Sequence, residues 1–275
     1  MNINDRDYRE FQQLIERETG IYLSNEKKPL LVGRLARRLR EREIPTFRDY
    51  LSVIARDAAE RTQMIDAICT NETRFFREPQ QFTYLEQQLV PQWRAERREV
   101  IRVWSAACST GEEPYSLGMT LLAHFPPSSG TRVEILATDL STKVLSAART
   151  AVWPLRKAEP IPPHHLREFM LRGRNAQQGN FAAGEALRSV VRFRHAKLDG
   201  ALAAVTEEFD LIFCRNVLIY FRAETKEEVL RAIASRLTAG GSLFLGQAES
   251  WPSPPPGMRV VRSSVYRRDV AETHF

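Results

Sequence analysis

Four short segments hold the residues whose types and spacing could do chemistry. The first is Ser105-Ala-Ala-Cys-Ser-Thr-Gly111-Glu112-Glu113-Pro114, small residues followed by two acids and a proline. Small residues let a backbone approach a ligand closely, and proline suits the first turn of a helix. A single glycine makes a poor dinucleotide fingerprint. Two acids at a helix N-terminus would also repel a pyrophosphate, which argues against NAD and ATP. They suit a ligand that carries positive charge or hydroxyls, although a capping acid in a small-residue turn would read the same. The second segment is Asp139, at the end of an apolar run. An acid there accepts hydrogen bonds from ribose hydroxyls, or it caps the helix that follows Leu140 and Ser141. In the third, FCRNVLIYF (213–221), Arg215 and Asn216 interrupt an apolar stretch and must find partners or a ligand. The fourth, Asn71-Glu-Thr-Arg-Phe-Phe-Arg77-Glu78, collects amide, hydroxyl, guanidinium and aromatic groups. It also reads as a linker with two core phenylalanines. Taken together, the segments point to an adenosine-type cofactor with a sulfonium or ammonium group and no phosphates. S-adenosylmethionine meets that description.

The elements that must position these residues differ along the chain. The first seventy residues read as helices only: Tyr8, Phe11, Leu14 and Ile15 recur at helical spacing before Gly20, and Leu31, Leu35 and Leu39 form a second stripe. Thr46 with Asp49 opens a third helix, and a fourth covers about 59–69. From about residue 100, strand-like runs (101–107, 132–139, 190–195, 209–214, 241–247) alternate with helical stretches at 114–124, 141–150 and 223–237. That alternation predicts a parallel sheet with helices on both faces, and ligands then sit at the carboxyl ends of its strands. The closing MRVVRSSVYRRDV has the alternation of an edge strand. Residues 153–188 are too broken by Pro154, Pro160, Pro162, Pro163, Gly173, Gly179 and Gly184 for a crossover helix, so they form an insertion with its own small fold.

Composition bounds the rest. A chain of 275 residues with 43% hydrophobic content buries a real core, and no stretch approaches the roughly 18 apolar residues of a membrane span. The polar start lacks the apolar run of a secretory signal. Cys69, Cys108 and Cys214 lack C-x-x-C spacing, which argues against a disulfide framework or a metal site and fits a reducing cytoplasm. The net charge of +6 could address nucleic acid, acidic membrane or an acidic protein.

NETRFFRE, WSAACSTGEEPYSLGM, ATDLS, FCRNVLIYF and SLFLGQAES, in this order, resemble the chemotaxis receptor methyltransferases commonly called CheR. The resemblance runs over essentially the whole chain. It implies an α/β fold: a class I S-adenosylmethionine-dependent methyltransferase-like sheet, parallel with an antiparallel C-terminal edge strand. An all-α domain (1–70) and a linker contributing to the cofactor site (71–90) would precede the methyltransferase domain (91–275), with a β-subdomain inserted at 153–188. It further implies methyl transfer from S-adenosylmethionine to glutamate side chains of chemoreceptors, in the cytoplasm at membrane-bound receptor arrays. The cofactor residues it implies are Asn71, Thr73, Arg77, Glu113 (ahead of Glu112), Asp139, Arg215 and Asn216, with Lys197 and Leu198 bordering the adenine. Tyr220 and Arg94 would stand at the transfer site.

A glutamate carboxylate, with an ordinary pKa of about 4.3, is ionised at neutral pH and needs no general base. The histidines at 124, 164, 165, 195 and 274 are therefore read as surface or structural. Residues 27–42 contain seven basic residues and one acid, so they alone carry the chain's +6. Arg34, Arg38 and Arg42 recur every four residues, a ridge opposite the leucine stripe. With Arg37, it is either a solvated face or a docking surface for acidic receptor helices. The insertion corresponds to the subdomain that captures a receptor C-terminal peptide by strand addition in some family members, although Asn175 replaces a frequent glycine. A nucleic-acid methyltransferase is the rival enzyme, but the chain reads RNVLIY where a D/N-P-P-Y/F motif would stand. A non-enzymatic adaptor is the other rival. No nucleic acid, no membrane insertion and a monomer are expected.

Overall fold

The computed structural model describes residues 2–270, and His274 lies outside them. Four helices come first: α1 (Asp5–Thr19), α2 (Lys28–Glu41), α3 (Phe47–Arg56) and α4 (Ala58–Ile68). Local chemistry sets their starts. The side chains of Asn4, Thr46 and Asp57 accept backbone N–H groups of α1, α3 and α4, and Pro29 stands in the first turn of α2. Phe11, Ile15, Leu31, Leu35, Leu39, Tyr50, Ile54 and Met64 meet in one buried cluster. Helices this short hold their shape only through such shared burial.

The expected basic ridge on α2 is corrected by this packing. Arg38 forks onto the buried Glu60 of α4 (2.6 and 3.0 Å), which also accepts the Tyr50 hydroxyl (2.8 Å). Arg42 reaches Asp57 at 3.2 Å, and Arg34 donates to the Ile68 carbonyl and to Thr70 (2.7 Å). The i, i+4 arginines flank the leucine stripe, and α4 brings acids and carbonyls opposite them. They form the seam between α2 and α4. Arg42 stays exposed at the end of this seam, and Arg37, paired with Glu41 at 2.6 Å, and Arg40 lie on the outer side.

The segment 79–95, expected as linker over most of its length, is helical. α5 (Pro79–Tyr84) passes through a π turn (Leu85–Leu89) into α6 (Val90–Ala95). After it come β1 (Val100–Ala106), α7 (Glu112–His124), β2 (Arg132–Asp139) and α8 (Thr142–Thr150). The insertion supplies β3 (Val152–Pro154), α9 (Pro163–Phe169), β4 (Met170–Arg172), β5 (Asn180–Ala183) and α10 (Glu185–Ser189). The chain finishes with β6 (Val191–His195), β7 (Phe209–Cys214), α11 (Ala223–Ser235), β8 (Leu237–Leu245), β9 (Met258–Arg262) and β10 (Val265–Arg268).

Seven strands form one sheet in the order β6-β2-β1-β7-β8-β10-β9. The first five are parallel, and β10 runs antiparallel between β8 and β9. The closing segment thus contributes a hairpin, not one strand, because it folds back at Ser264, which holds a left-handed backbone (φ 63°). The chain leaves β1 outward to β2 and β6, then returns to β7 on β1's other side. That reversal opens a crevice at the carboxyl ends of β1 and β7.

The insertion has its own three-stranded sheet, β3-β5-β4, but it shares the main core. Phe75 packs edge-on against Trp153 (5.0 Å between centroids) and near Phe181 (5.8 Å). Glu112, fully buried at the start of α7, pairs with Lys157 of the insertion and accepts the Thr110 hydroxyl (2.6 Å). His165 of α9 lies nearly parallel to Phe76 (5.5 Å, 7°), buried, with Nδ1 unpaired. Burial, aided by His164 and His124, holds its pKa down to about 4. The unfolded chain therefore takes up this proton first. The stabilisation is complete above pH about 6.5 and is lost as pH falls toward 4. His165→Phe should shrink the drop in melting temperature between those two pH values. Equal drops in variant and wild type would count against this account.

Candidate active site

The crevice is a cleft of about 920 Å³, including its open mouth. Its floor is backbone in unusual conformations. Ala107 and Ser109 after β1, and Asn216 after β7, all have positive φ (62°, 50° and 59°). Such non-glycine residues cost roughly 1–3 kcal/mol each and collect at functional sites. The small side chains of 105–111 let the turn pass close under the cleft.

Asp139 ends β2 with only 8% exposure. Its two carboxylate oxygens accept the Ser109 and Ser141 N–H groups at 2.8 and 2.9 Å. Burial is the leading influence and raises its pKa, against the backbone hydrogen bonds. The capping reading is shifted two residues along the chain: Ser141, not Asp139, caps α8 by accepting the Val144 N–H, and Asp139 braces that cap through the Ser141 N–H. Glu113 accepts Ser105 Oγ (2.7 Å) and Arg215 Nε (2.8 Å). Arg215, with a side chain 1% exposed, also donates to the Arg77 carbonyl (2.7 Å) and Gln81 (3.0 Å), and lies over Phe213. Its guanidinium is occupied by protein, so it holds Glu113 and the 71–78 segment in place.

Asn71, Thr73 and Arg77 line the cleft with Glu113, Asp139, Leu198, Arg215, Asn216 and Tyr220. Phe75 and Phe76 of the same segment are core, so NETRFFRE places its polar residues along the cleft and its two phenylalanines in the interior. Three expected residues stand elsewhere. Arg94 donates to the His124 carbonyl (2.8 Å) at the opposite end of α7, beyond the amino ends of the strands, and is removed from the site. Lys197 sits beside the cleft, but its ammonium turns to the Arg17 carbonyl (2.7 Å). Glu112 faces the insertion.

Two acids carry weight that the sequence reading did not assign. Glu249, after β8, accepts the N–H groups of Asn216, Leu218 and Gly246, each at 2.7 Å. A Cβ on Gly246 would lie 2.6 Å from Asn216 Nδ2, so this crowding requires glycine. Glu78 accepts Asn216 Nδ2 and the Gln247 N–H at 3.2 Å. An acid at another strand's carboxyl end was the available signal. Thr19 and Ile21 of the helical domain also line the cleft, joined to Ala196, Val217 and Phe221.

The donor set can be tested against ligand types. Asp139 keeps lone pairs for hydroxyl donors. Ile21, Ala196, Leu198 and Val217 provide apolar walls for a flat ring. The two lining cations are Arg215, saturated by Glu113, and Arg77, which donates to the Glu72 carbonyl (3.1 Å). A pyrophosphate would find little here, whereas an adenosine bearing a sulfonium fits. The lining thiols are not nucleophiles: burial pushes Cys69 up to about 12 and Cys108 well above its ordinary value.

Comparisons with known proteins agree with that chemistry. The family model described as the CheR methyltransferase, SAM binding domain, matches residues 71–267, and that of its all-alpha domain matches 6–69. Chemotaxis protein methyltransferase 2 of Pseudomonas aeruginosa is 36% identical over 263 residues, covering 94% of this chain and 92% of that protein. The chemotaxis protein methyltransferase of Vibrio parahaemolyticus is 37% identical over 267 residues, 95% of each chain. That of Salmonella typhimurium is 36% identical over 252 residues, 90% of this chain and 85% of that one. The two matched segments meet where Thr19, Ile21 and Asn71 close the cleft around Asp139. The chain thus belongs to the CheR methyltransferase family, and S-adenosylmethionine is its cofactor.

Proposed function

We propose that this protein methylates glutamate side chains on the cytoplasmic helices of chemoreceptors, giving glutamyl 5-O-methyl esters during chemotactic adaptation. The lining of the cleft carries this reading. Tyr220 offers a phenol hydroxyl near the helical domain, and no histidine stands among the described lining residues. An acceptor that ionises by itself suits such a site. When bound, S-adenosylmethionine would supply a methyl activated by its sulfonium, so that a carboxylate oxygen bonds to the methyl carbon as the carbon–sulfur bond breaks and the thioether leaves, giving an ester. An anion and a cation become neutral, so an ion pair on the carboxylate would oppose the change. Tyr220 holds the carboxylate by one hydrogen bond, and Asn71, Thr73, Asp139 and Asn216 orient the cofactor. Alignment and exclusion of water supply the rest of the catalysis.

On the surface, Arg37 and Arg40 keep α2's outer side basic for an acidic receptor helix. Arg34 and Arg38 act from within the seam. The insertion presents β4 at the edge of its small sheet with Leu171 61% exposed. A receptor tail peptide could add there as a strand, recruiting the enzyme, as a monomer, to membrane-bound arrays. No described helix is long and apolar enough to cross a membrane.

The test incubates the protein with labelled S-adenosylmethionine and receptor-rich membranes, then measures methanol released by alkali. Alkali-stable label, or label on nucleic acid instead, rejects the ester. Tyr220→Phe should lower the methanol-yielding rate about tenfold, one hydrogen bond to a charged group, with product affinity unchanged. A pure binding defect would remove Tyr220 from the transfer step.

A further inference from the structure

The strip 16–22, where α1 ends, is tied to the methyltransferase domain by contacts outside the acidic machinery. Its backbone turns at Gly20, left-handed at φ 78°, whose N–H closes on the Glu16 carbonyl (2.8 Å). Phe221 packs against this glycine, with ring carbons 3.4 Å from where a Cβ would stand. The Tyr22 N–H donates to the Tyr220 carbonyl at 2.8 Å, and Lys197 Nζ holds the Arg17 carbonyl at 2.7 Å. Arg222 pairs with Glu16 and lies over the Tyr22 ring, 3.7 Å from its centre. Between these ties stand Thr19 and Ile21, the strip's two contributions to the cleft.

We propose that Glu16 and Arg222 are positioning residues that clasp the end of α1 over the cofactor, so the helical domain serves as one wall of the cofactor site. Neither touches the cofactor. Arg222 ends the loop that begins at Asn216 and opens α11, so the clasp fixes both sides of the cleft mouth together. Opening it frees Thr19 and Ile21 from one side of the cleft and Tyr220 from the other. The inference rests on the methyl-transfer reading through the cofactor alone. It is tested without any acceptor, so failure of the receptor assignment and failure of the clasp give different results.

The measurement is the dissociation rate of labelled S-adenosylhomocysteine in a chase, on the full chain. Exposed ion pairs and exposed cation–π contacts are each modest, so Arg222→Ala should release the product about fivefold faster. Glu16→Gln, which leaves the cation over Tyr22, should give about threefold, and Arg222→Lys should fall between Ala and wild type. Melting temperatures should stay within about 2 °C of wild type, since the pair is surface-exposed. Salt supplies a readout that loose folding would not move. Raising ionic strength from about 0.05 to 0.5 M should bring the wild-type rate toward that of Arg222→Ala while barely changing the variant. Equal dissociation rates in wild type, Arg222→Ala and Glu16→Gln would overturn the proposal, as would an identical salt slope in wild type and Arg222→Ala.

Discussion

Arg215→Met is expected to lower the melting temperature by on the order of 10 °C, the larger of two effects centred on the cleft. The guanidinium is almost fully buried and contacts Glu113 Oε2 at 2.8 Å and Glu78 Oε2 at 3.5 Å. Methionine fills the space over Phe213 and Phe82 but leaves both carboxylates without their cation. Breaking one side of a buried pair costs about 3–5 kcal/mol. Each kcal/mol moves the midpoint of a chain this long by roughly 2–4 °C. Adding Glu113→Gln to Arg215→Met should recover part of the loss, because the amide no longer needs a counter-ion. Thermal unfolding of the single and double variants measures both. A double variant less stable than Arg215→Met would show that Glu113 is held by its other partner, Ser105.

Asp139→Asn is expected to weaken binding of S-adenosylhomocysteine about 100-fold while leaving the circular dichroism spectrum unchanged. Each carboxylate oxygen receives one backbone N–H, from Ser109 and from Ser141. An amide has only one oxygen, so its NH2 must face one of those donors. The remaining oxygen is uncharged and gives the ribose hydroxyls a weaker acceptor. Hydrogen bonds to charged groups contribute about 1.5–3 kcal/mol, and 1.4 kcal/mol is tenfold in affinity. Calorimetry on the variant reads the change directly. An affinity within threefold of wild type would reduce Asp139 to the cap-supporting role that its bond to Ser141 already fills.

Much of the sheet was legible because its signals are local. The runs 132–139 and 209–214 are strands β2 and β7 with the expected ends, and Thr46 with Asp49 opens α3. Period-two and period-3.6 patterns are properties of neighbours in sequence. β8 begins four residues before the expected 241, since Leu237 already pairs with Phe209. That pairing joins distant segments, and no local pattern announces it.

The candidate site divides in the same way. Asn71, Thr73, Arg77, Glu113, Asp139, Leu198, Asn216 and Tyr220 stood out by type and motif, and the fold gathers them in one cleft. Glu249 and the lining residues Thr19 and Ile21 needed the fold, because their roles depend on chain segments far away in sequence. Arg94, chosen from several nearby arginines, faces the wrong end of the sheet.

By itself, the sequence determined which residue types line the cleft, where strands and helices alternate, and that the charge is concentrated in residues 27–42. Only the tertiary structure decided how much of that charge is free. Arg34, Arg38 and Arg42 look like one solvent-facing ridge when α2 is drawn alone. α4 then places Glu60, Asp57 and the Ile68 carbonyl against them. Charge along a helix is fixed by sequence, but its neutralisation depends on what packs within about 4 Å, and that is a property of the fold.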